Sequence, residues 1–189
     1  MTSTPLIPRP SQDPSEPRWI ETLRDRTTVL VRPLAKTDRE AERAFIEGLS
    51  AESRRFRFLG SIKAPSEHLL DRLTNVDQVH DVAFVAVVRE GAGENIVGVA
   101  RYGTDASGET CECAVTVDDE WHGRGLGTAL MRHLIEVARA RGIHRMESID
   151  SAENVEMRDL ARFLGFHTST DPEDARQVIH RLDLAGSPP

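Results

Sequence analysis

The seventeen residues from Val115 to Met131 constrain this chain more than any other stretch: a strand, an acidic connector, a glycine-rich turn and a helix follow one another without a gap. Cys111, Cys113, Val115 and Val117 alternate with Glu112, Ala114 and Thr116, the period of a strand. Leu126, Leu130, Leu134 and Ala138 then recur every fourth residue, with Met131 and Ile135 widening the apolar stripe of a helix. Gly142 falls where a left-handed cap would end that helix, and Arg139 and Arg141 sit in its last turn, where the helix dipole favours cations.

Gly123, Gly125 and Gly127 keep side chains away from the main chain at the helix start. The first turn of a helix has unpaired N–H groups and a partial positive charge, so this place suits a phosphate or pyrophosphate. Charge-assisted hydrogen bonds contribute roughly 1.5–3 kcal/mol each, so a few such donors hold a diphosphate without a lysine. The plainer alternative is a tight strand-to-helix turn that uses glycine for its backbone freedom. A dinucleotide fingerprint would need glycine at position 128, where Thr128 stands, and a P-loop would need Gly-Lys-Ser/Thr at its end. Neither fits.

Length and charge narrow the remaining classes. A chain of 189 residues suffices for one domain with a real core. A formal charge of −7 argues against nucleic acid as a default partner. No apolar run approaches the ~18 residues of a membrane span, and the N-terminus lacks the apolar core of a signal peptide. Cys111 and Cys113 lie on one strand face, a poor geometry for a disulfide, so reduced thiols and a cytoplasmic setting are expected. The seven histidines show no metal-ligand spacing, so no metal is expected.

In chain order, residues 1–26 read as a Pro-rich flexible leader in which Trp19 to Leu23 packs back as a short segment. Thr28 to Arg32 is a first strand, and Thr37 with Glu40 is a capping box for a first helix. Arg54, Arg55 and Arg57 interleave with Phe56 and Phe58 on a second helix, either a solvated basic face or part of an acceptor-binding wall. Ser66 caps a third. Val82 to Val88 reads as a central strand, followed by hairpins into Ile96 to Tyr102 and the Cys111 strand. A fifth strand over 144–149, a last helix capped by Ser151, a final strand over 176–184 and a tail over 185–189 complete the pattern. The expected architecture is α+β: a mixed, mostly antiparallel central sheet of six to seven strands flanked by helices on both faces, spanning 27–184.

His122-Gly123-Arg124-Gly125-Leu126-Gly127, preceded by a strand ending in valine, resembles the acetyl-CoA-binding motif of the GNAT family of N-acetyltransferases. Asn154, Leu160, Gly165 and Phe166 are similar to that family's closing-helix pattern. His122 departs from the usual glutamine or arginine. The resemblance implies acetyl-CoA as cosubstrate. Val115, Thr116 and Val117 would offer main-chain bonds to the pantetheine, and one N–H near Val115 would polarise the thioester carbonyl. Gly123, Arg124, Gly125, Leu126, Gly127 and Thr128 would wrap the pyrophosphate, His122 would touch the phosphates, and Asn154 would contact the cofactor from the last helix. Transfer to an amine also needs a general base, because a lysine-type amine has a solution pKa near ~10.4. Glu112, read as partly buried, is the candidate, with Glu120 in reserve. The tyrosine with which many members protonate the departing thiolate is replaced by Ala161. Leu49 to Phe58 and Glu112 to Val117 look similar to bacterial protein-lysine acetyltransferases, which implies a protein lysine as acceptor, with a small-molecule amine or a non-catalytic acyl-CoA-sensing role as alternatives. The open sheet edges suit a homodimer.

Overall fold

The computed structural model describes residues 17–60, 62–91 and 93–185. The start of the predicted leader and the last four residues of the tail lie outside them. Eight strands form one sheet: β1 (Trp19–Thr22), β2 (Thr28–Pro33), β3 (Asp81–Glu90), β4 (Gly93–Thr104), β5 (Thr110–Val117), β6 (Arg145–Ser151), β7 (His167–Thr170) and β8 (Gln177–Asp183). Five α-helices cover it: α1 (Arg39–Gly48), α2 (Ala51–Phe58), α3 (Glu67–Thr74), α4 (Leu126–Ala140) and α5 (Val155–Phe163). The spatial order is β1-β2-β3-β4-β5-β6-β8-β7. Every neighbouring pair is antiparallel except β5 with β6.

Each face of the sheet carries its own core. On one, Leu126, Leu130, Met131 and Leu134 of α4 pack against Phe84, Tyr102 and Met146. On the other, Phe45, Ile46, Leu70 and Leu73 from α1 and α3 cover Val85, Val87 and Val99. Strand β3 lies between them, which is why its sequence is an unbroken apolar run.

The sheet has more strands than the six to seven expected, and both additions are four-residue edge strands. Trp19–Thr22 falls inside the stretch read as a leader. It is anchored by Trp19, whose indole stacks on His133 at 4.1 Å and meets Phe84 edge-on at 5.2 Å. His133 in turn bonds Glu21 at 2.6 Å. All four residues of β7 are exposed, so no apolar alternation announces it.

Two helix caps also differ from expectation. A 3-10 turn over Lys36–Asp38 precedes α1, and Asp38 is the N-cap in place of Thr37. The Asp38 carboxylate is held by the Arg32 guanidinium at 2.7 and 2.9 Å and by the Ala35 N–H at 2.8 Å. The last helix is capped by Asn154, whose Oδ1 accepts the Met157 N–H at 3.1 Å, and not by Ser151. Ser66 caps α3 as its sequence predicts, and Gly142 takes the left-handed conformation after α4.

The parallel ladder of β5 and β6 is short. It joins only Thr110–Glu112 to Arg145–Glu147, and beyond these residues the two strands part. That divergence positions the site.

Candidate active site

A cleft of about 860 Å³ opens where β5 and β6 separate. Its floor is the end of β5, with Ala114, Val115, Thr116 and Val117. Its walls are the glycine turn and the start of α4 on one side and the end of β6 with α5 on another. Phe56, Arg57, Phe58 and Leu59 of the α2 segment form the third wall.

The glycine turn is shaped by conformations that other residues resist. Gly123 has φ of 71° and Gly125, the α4 N-cap, φ of 89°, both left-handed. Gly127 faces a different demand, since a Cβ there would lie 3.4 Å from Leu160 Cδ2 and 3.6 Å from Val117 Cγ2. Helix and strand ends therefore approach closely. The earliest hydrogen bond of α4 runs from the Ala129 N–H to the Gly125 carbonyl at 3.1 Å. No side chain caps the helix, so the N–H groups of Leu126, Gly127 and Thr128 have no acceptor among the described residues. These donors and the helix dipole converge on the cleft.

The predicted residues divide into those that reach the cleft and those that do not. Val115, Thr116, Val117, Gly123, Gly125, Leu126, Gly127 and Thr128 all line it. Arg124 is not among the residues that line the cleft: its carbonyl accepts the Arg24 N–H at 3.0 Å, and its guanidinium turns to Asp25 at 3.0 Å, to the Glu120 carbonyl at 2.8 Å and over the Trp121 ring. His122, read as a phosphate contact, also lines the cleft but has both ring nitrogens engaged within the protein. Nε2 lies 3.0 Å from the Val117 carbonyl and Nδ1 3.0 Å from Glu156 Oε2. Asn154 borders the cleft, with its side-chain oxygen committed to the α5 cap. Glu112 stands on the cleft wall but is exposed rather than partly buried, and it has no hydrogen-bond or ion-pair partner among the described residues. Asp119, exposed in the connector, accepts from the Ser50 N–H and from the Ser50 and Ser53 hydroxyls, tying the connector to α2.

Arg24 and Asp150 enter the site from places no motif marks, and Arg57 comes from the α2 segment read above as either a solvated basic face or an acceptor-binding wall. Arg24, in the turn between β1 and β2, lies beside the glycine turn, with its Nε 3.5 Å from where a Cβ on Gly125 would fall. Arg57 on α2 lines the cleft without a hydrogen bond to any described residue. Burial pushes its guanidinium down to about 10, with repulsion from Arg101 adding to the effect. Asp150, near the end of β6, lines the cleft and accepts a hydrogen bond from Ser148. Burial raises its carboxyl above the ordinary range, against the pull of Ser148, His180 and Arg57.

The two cysteines flank the site as inert groups. Burial pushes Cys111 up to about 12 and Cys113 well above the usual thiol value, so neither is a nucleophile at neutral pH. Among the described residues no cluster of three or more His, Cys, Asp or Glu side chains is arranged to hold a metal ion. Nor is any described helix long and apolar enough to cross a membrane.

Comparison with known proteins agrees with this geometry. The family model for the Acetyltransferase (GNAT) family matches residues 43–166. An acetyltransferase of Pseudomonas aeruginosa is 51% identical over 166 residues, covering 88% of this chain and 89% of that protein. Acetyltransferase Pat of Mycolicibacterium smegmatis is 34% identical over 111 residues, and the match spans 58% of this chain but only 33% of Pat. Among solved structures, the GNAT domain of S. lividans PAT superposes with a TM-score of 0.80 at 28% identity, covering 88% of this chain and 96% of that domain.

Proposed function

Because the chain belongs to the acetyltransferase (GNAT) family, we propose that it transfers the acetyl group of acetyl-CoA to a primary amine by direct attack in a ternary complex. The observation that carries this reading is the parting of β5 and β6 directly before a helix whose first three N–H groups are unbonded. An extended thiol-ester arm fits an open strand edge, because main-chain groups that lack a ladder partner there can bond its amides. A diphosphate fits the helix start, where unpaired N–H donors and the dipole favour negative charge.

On this reading Val115, Thr116 and Val117 hold the pantetheine arm, and the main chain from Gly123 to Thr128 holds the diphosphate. Arg24 adds a cation beside that turn, and a main-chain N–H near Val115 polarises the thioester carbonyl. Bound acetyl-CoA supplies the activated acyl group; the protein supplies position and proton transfer. Glu112 is the base for the incoming ammonium. Its exposure gives it direct exchange with water, and with no hydrogen bond or ion pair to the described residues its carboxylate is open to a cationic acceptor.

The acceptor is read as a protein lysine, on the resemblance of Leu49 to Phe58 and Glu112 to Val117 to bacterial protein-lysine acetyltransferases. A small-molecule amine is the second reading. A Pseudomonas aeruginosa protein named L-methionine sulfoximine/L-methionine sulfone acetyltransferase is 38% identical over 105 residues, covering 60% of that protein. Calorimetry with CoA, followed by acetyl-CoA turnover over lysine peptides, amino acids and polyamines, tests the proposal. Binding with turnover of one acceptor class supports it. Binding without turnover on any amine would make the chain an acyl-CoA sensor, and no binding at all would leave the glycine turn a structural bend.

A further inference from the structure

The acetyltransferase reading leaves one proton unassigned. An ammonium acceptor must lose two protons to become an amide: one before its nitrogen attacks, one as the C–N bond forms. The sulfur released when the C–S bond breaks must gain one. The balance is ammonium plus acetyl-CoA giving amide, CoA thiol and one proton to water. Exposed Glu112 can pass the first proton to solvent. It is poorly suited to keep the second from escaping to water. The position at which many relatives carry a tyrosine is Ala161, wholly buried and with no proton to give.

Asp150 lines the cleft that the acetyltransferase reading assigns to acetyl-CoA and its acceptor. It lies three residues past the last paired position of β6, Glu147, on the strand that parts from β5. Its carboxylate borders the cleft, while His180 of β8 backs it with Nε2 3.9 Å from Asp150 Oδ2. His180 is 0% exposed, and that Nε2 has no hydrogen-bond partner among the described residues. Its Nδ1 is fixed 2.8 Å from the Thr168 hydroxyl of β7, so the ring cannot turn without breaking that bond. Ser148 holds the carboxylate from its own strand. A buried imidazole with a free nitrogen aimed at a cleft carboxylate is a costly arrangement for packing alone.

We propose that Asp150 is a second catalytic carboxylate, which takes the proton from the attacking nitrogen and delivers it to the departing sulfur, with His180 as its positioning residue. This rests on the acetyltransferase reading and divides the labour between two carboxylates by exposure: Glu112 exchanges with water, and Asp150 keeps its proton within the cleft. The charged and titratable groups around Asp150 are Arg57 from α2, His180 from β8 and Cys113 from β5, with Glu112 of β5 acting on Arg57 and Cys113 and Arg158 of α5 on His180 in turn. Burial raises the Asp150 carboxyl and lowers the His180 imidazole, so the carboxyl exchanges its proton closer to working pH than an ordinary aspartate does.

The test uses the full chain with Asp150→Asn, Asp150→Glu and His180→Gln. Asp150→Asn should lower kcat by about 100-fold, the usual scale of one acid–base group, with CoA affinity by calorimetry within about twofold of wild type. The part of the acid limb of the wild-type pH–rate profile that protonation of Asp150 contributes should be lost in Asp150→Asn, leaving the part that deprotonation of the acceptor ammonium imposes. His180→Gln should move that limb without abolishing it, and Asp150→Glu should restore part of the rate. In the ligand-free wild-type protein, carbon NMR of the Asp150 carboxyl and nitrogen NMR of His180 should show two coupled titrations, each displaced in the other's variant. The NMR titration decides the matter if Asp150→Asn fails to fold. Wild-type kcat in a folded Asp150→Asn, an unchanged acid limb, or independent titrations would overturn the proposal. Loss of CoA binding by the wild-type chain would instead overturn the acetyltransferase reading beneath it.

Discussion

Leu130 Cδ1 lies 2.9 Å from the point where Gly98 would carry a Cβ, with Leu126 Cδ2 at 3.3 Å. This contact between β4 and α4 sets how deeply the helix seats on the sheet, and so where its N-terminus meets the cleft. Gly98→Ala should destabilise the fold by about 1–3 kcal/mol through overpacking, a drop of roughly 2–4 °C in melting temperature per kcal/mol. Calorimetric melting measures this directly.

Gly125 has φ of 89°, a conformation that residues with a Cβ resist, while a Cβ there would meet the Arg24 side chain only in ordinary contact at 3.5 Å. Gly125→Ala should therefore cost about 1–2 kcal/mol in backbone strain and displace the first N–H donors of α4. A weakening of CoA binding by about tenfold or more is expected, because misplaced donors lose much of a charge-assisted bond. Titration calorimetry at matched folded fraction separates the two effects.

Arg24 is an exposed cation beside the same turn. Removing it in Arg24→Ala should weaken CoA binding by about tenfold at low salt, and the difference should shrink as ionic strength rises. An affinity gap that ignores salt would show that Arg24 acts by packing instead.

Glu42 and Arg101 form a buried pair at 3.0 Å beneath α1, and Arg101 also donates to the Leu73 carbonyl at 3.0 Å. Glu42→Gln should cost about 3–5 kcal/mol, because it leaves the guanidinium uncompensated in the core. Replacing both residues with apolar ones of similar volume should recover most of that loss. Denaturant midpoints of the single and double variants decide it.

Cys111, pushed up to about 12, and Cys113, pushed well above the usual thiol value, should stay protonated through the whole neutral range. A raised value means that the reactive thiolate forms only as pH climbs towards it. Neither thiol should react with a disulfide reagent at pH 8 in the folded protein, and both should react once denaturant is added. The rate measured against denaturant follows the opening of β5.

Much of the chain was legible without coordinates. The 3.6-residue period of Leu126, Leu130 and Leu134 marks α4, and the unbroken Val82–Val88 run marks the central strand, because burial on one or both faces imposes those patterns. The floor and glycine wall of the cleft were equally readable, since Val115 to Thr128 are contiguous and glycine at φ of 71° and 89° answers a local need. Strand β7 was not legible, as four exposed residues carry no periodic signal. Strand β1 owes its place to Trp19 packing on Phe84 and His133, 65 and 114 positions away.

By itself, then, the sequence determined the features that act between near neighbours: the order of most elements, the bend before α4 and the family resemblance. Only the tertiary structure decided what meets across the cleft. Arg24, Arg57, Asp150 and His180 come from four separate elements, and no spacing rule links them. It also turned Arg124 towards Asp25 and His122 towards Glu156, because a side chain's direction is settled by the partners that folding brings within hydrogen-bond reach.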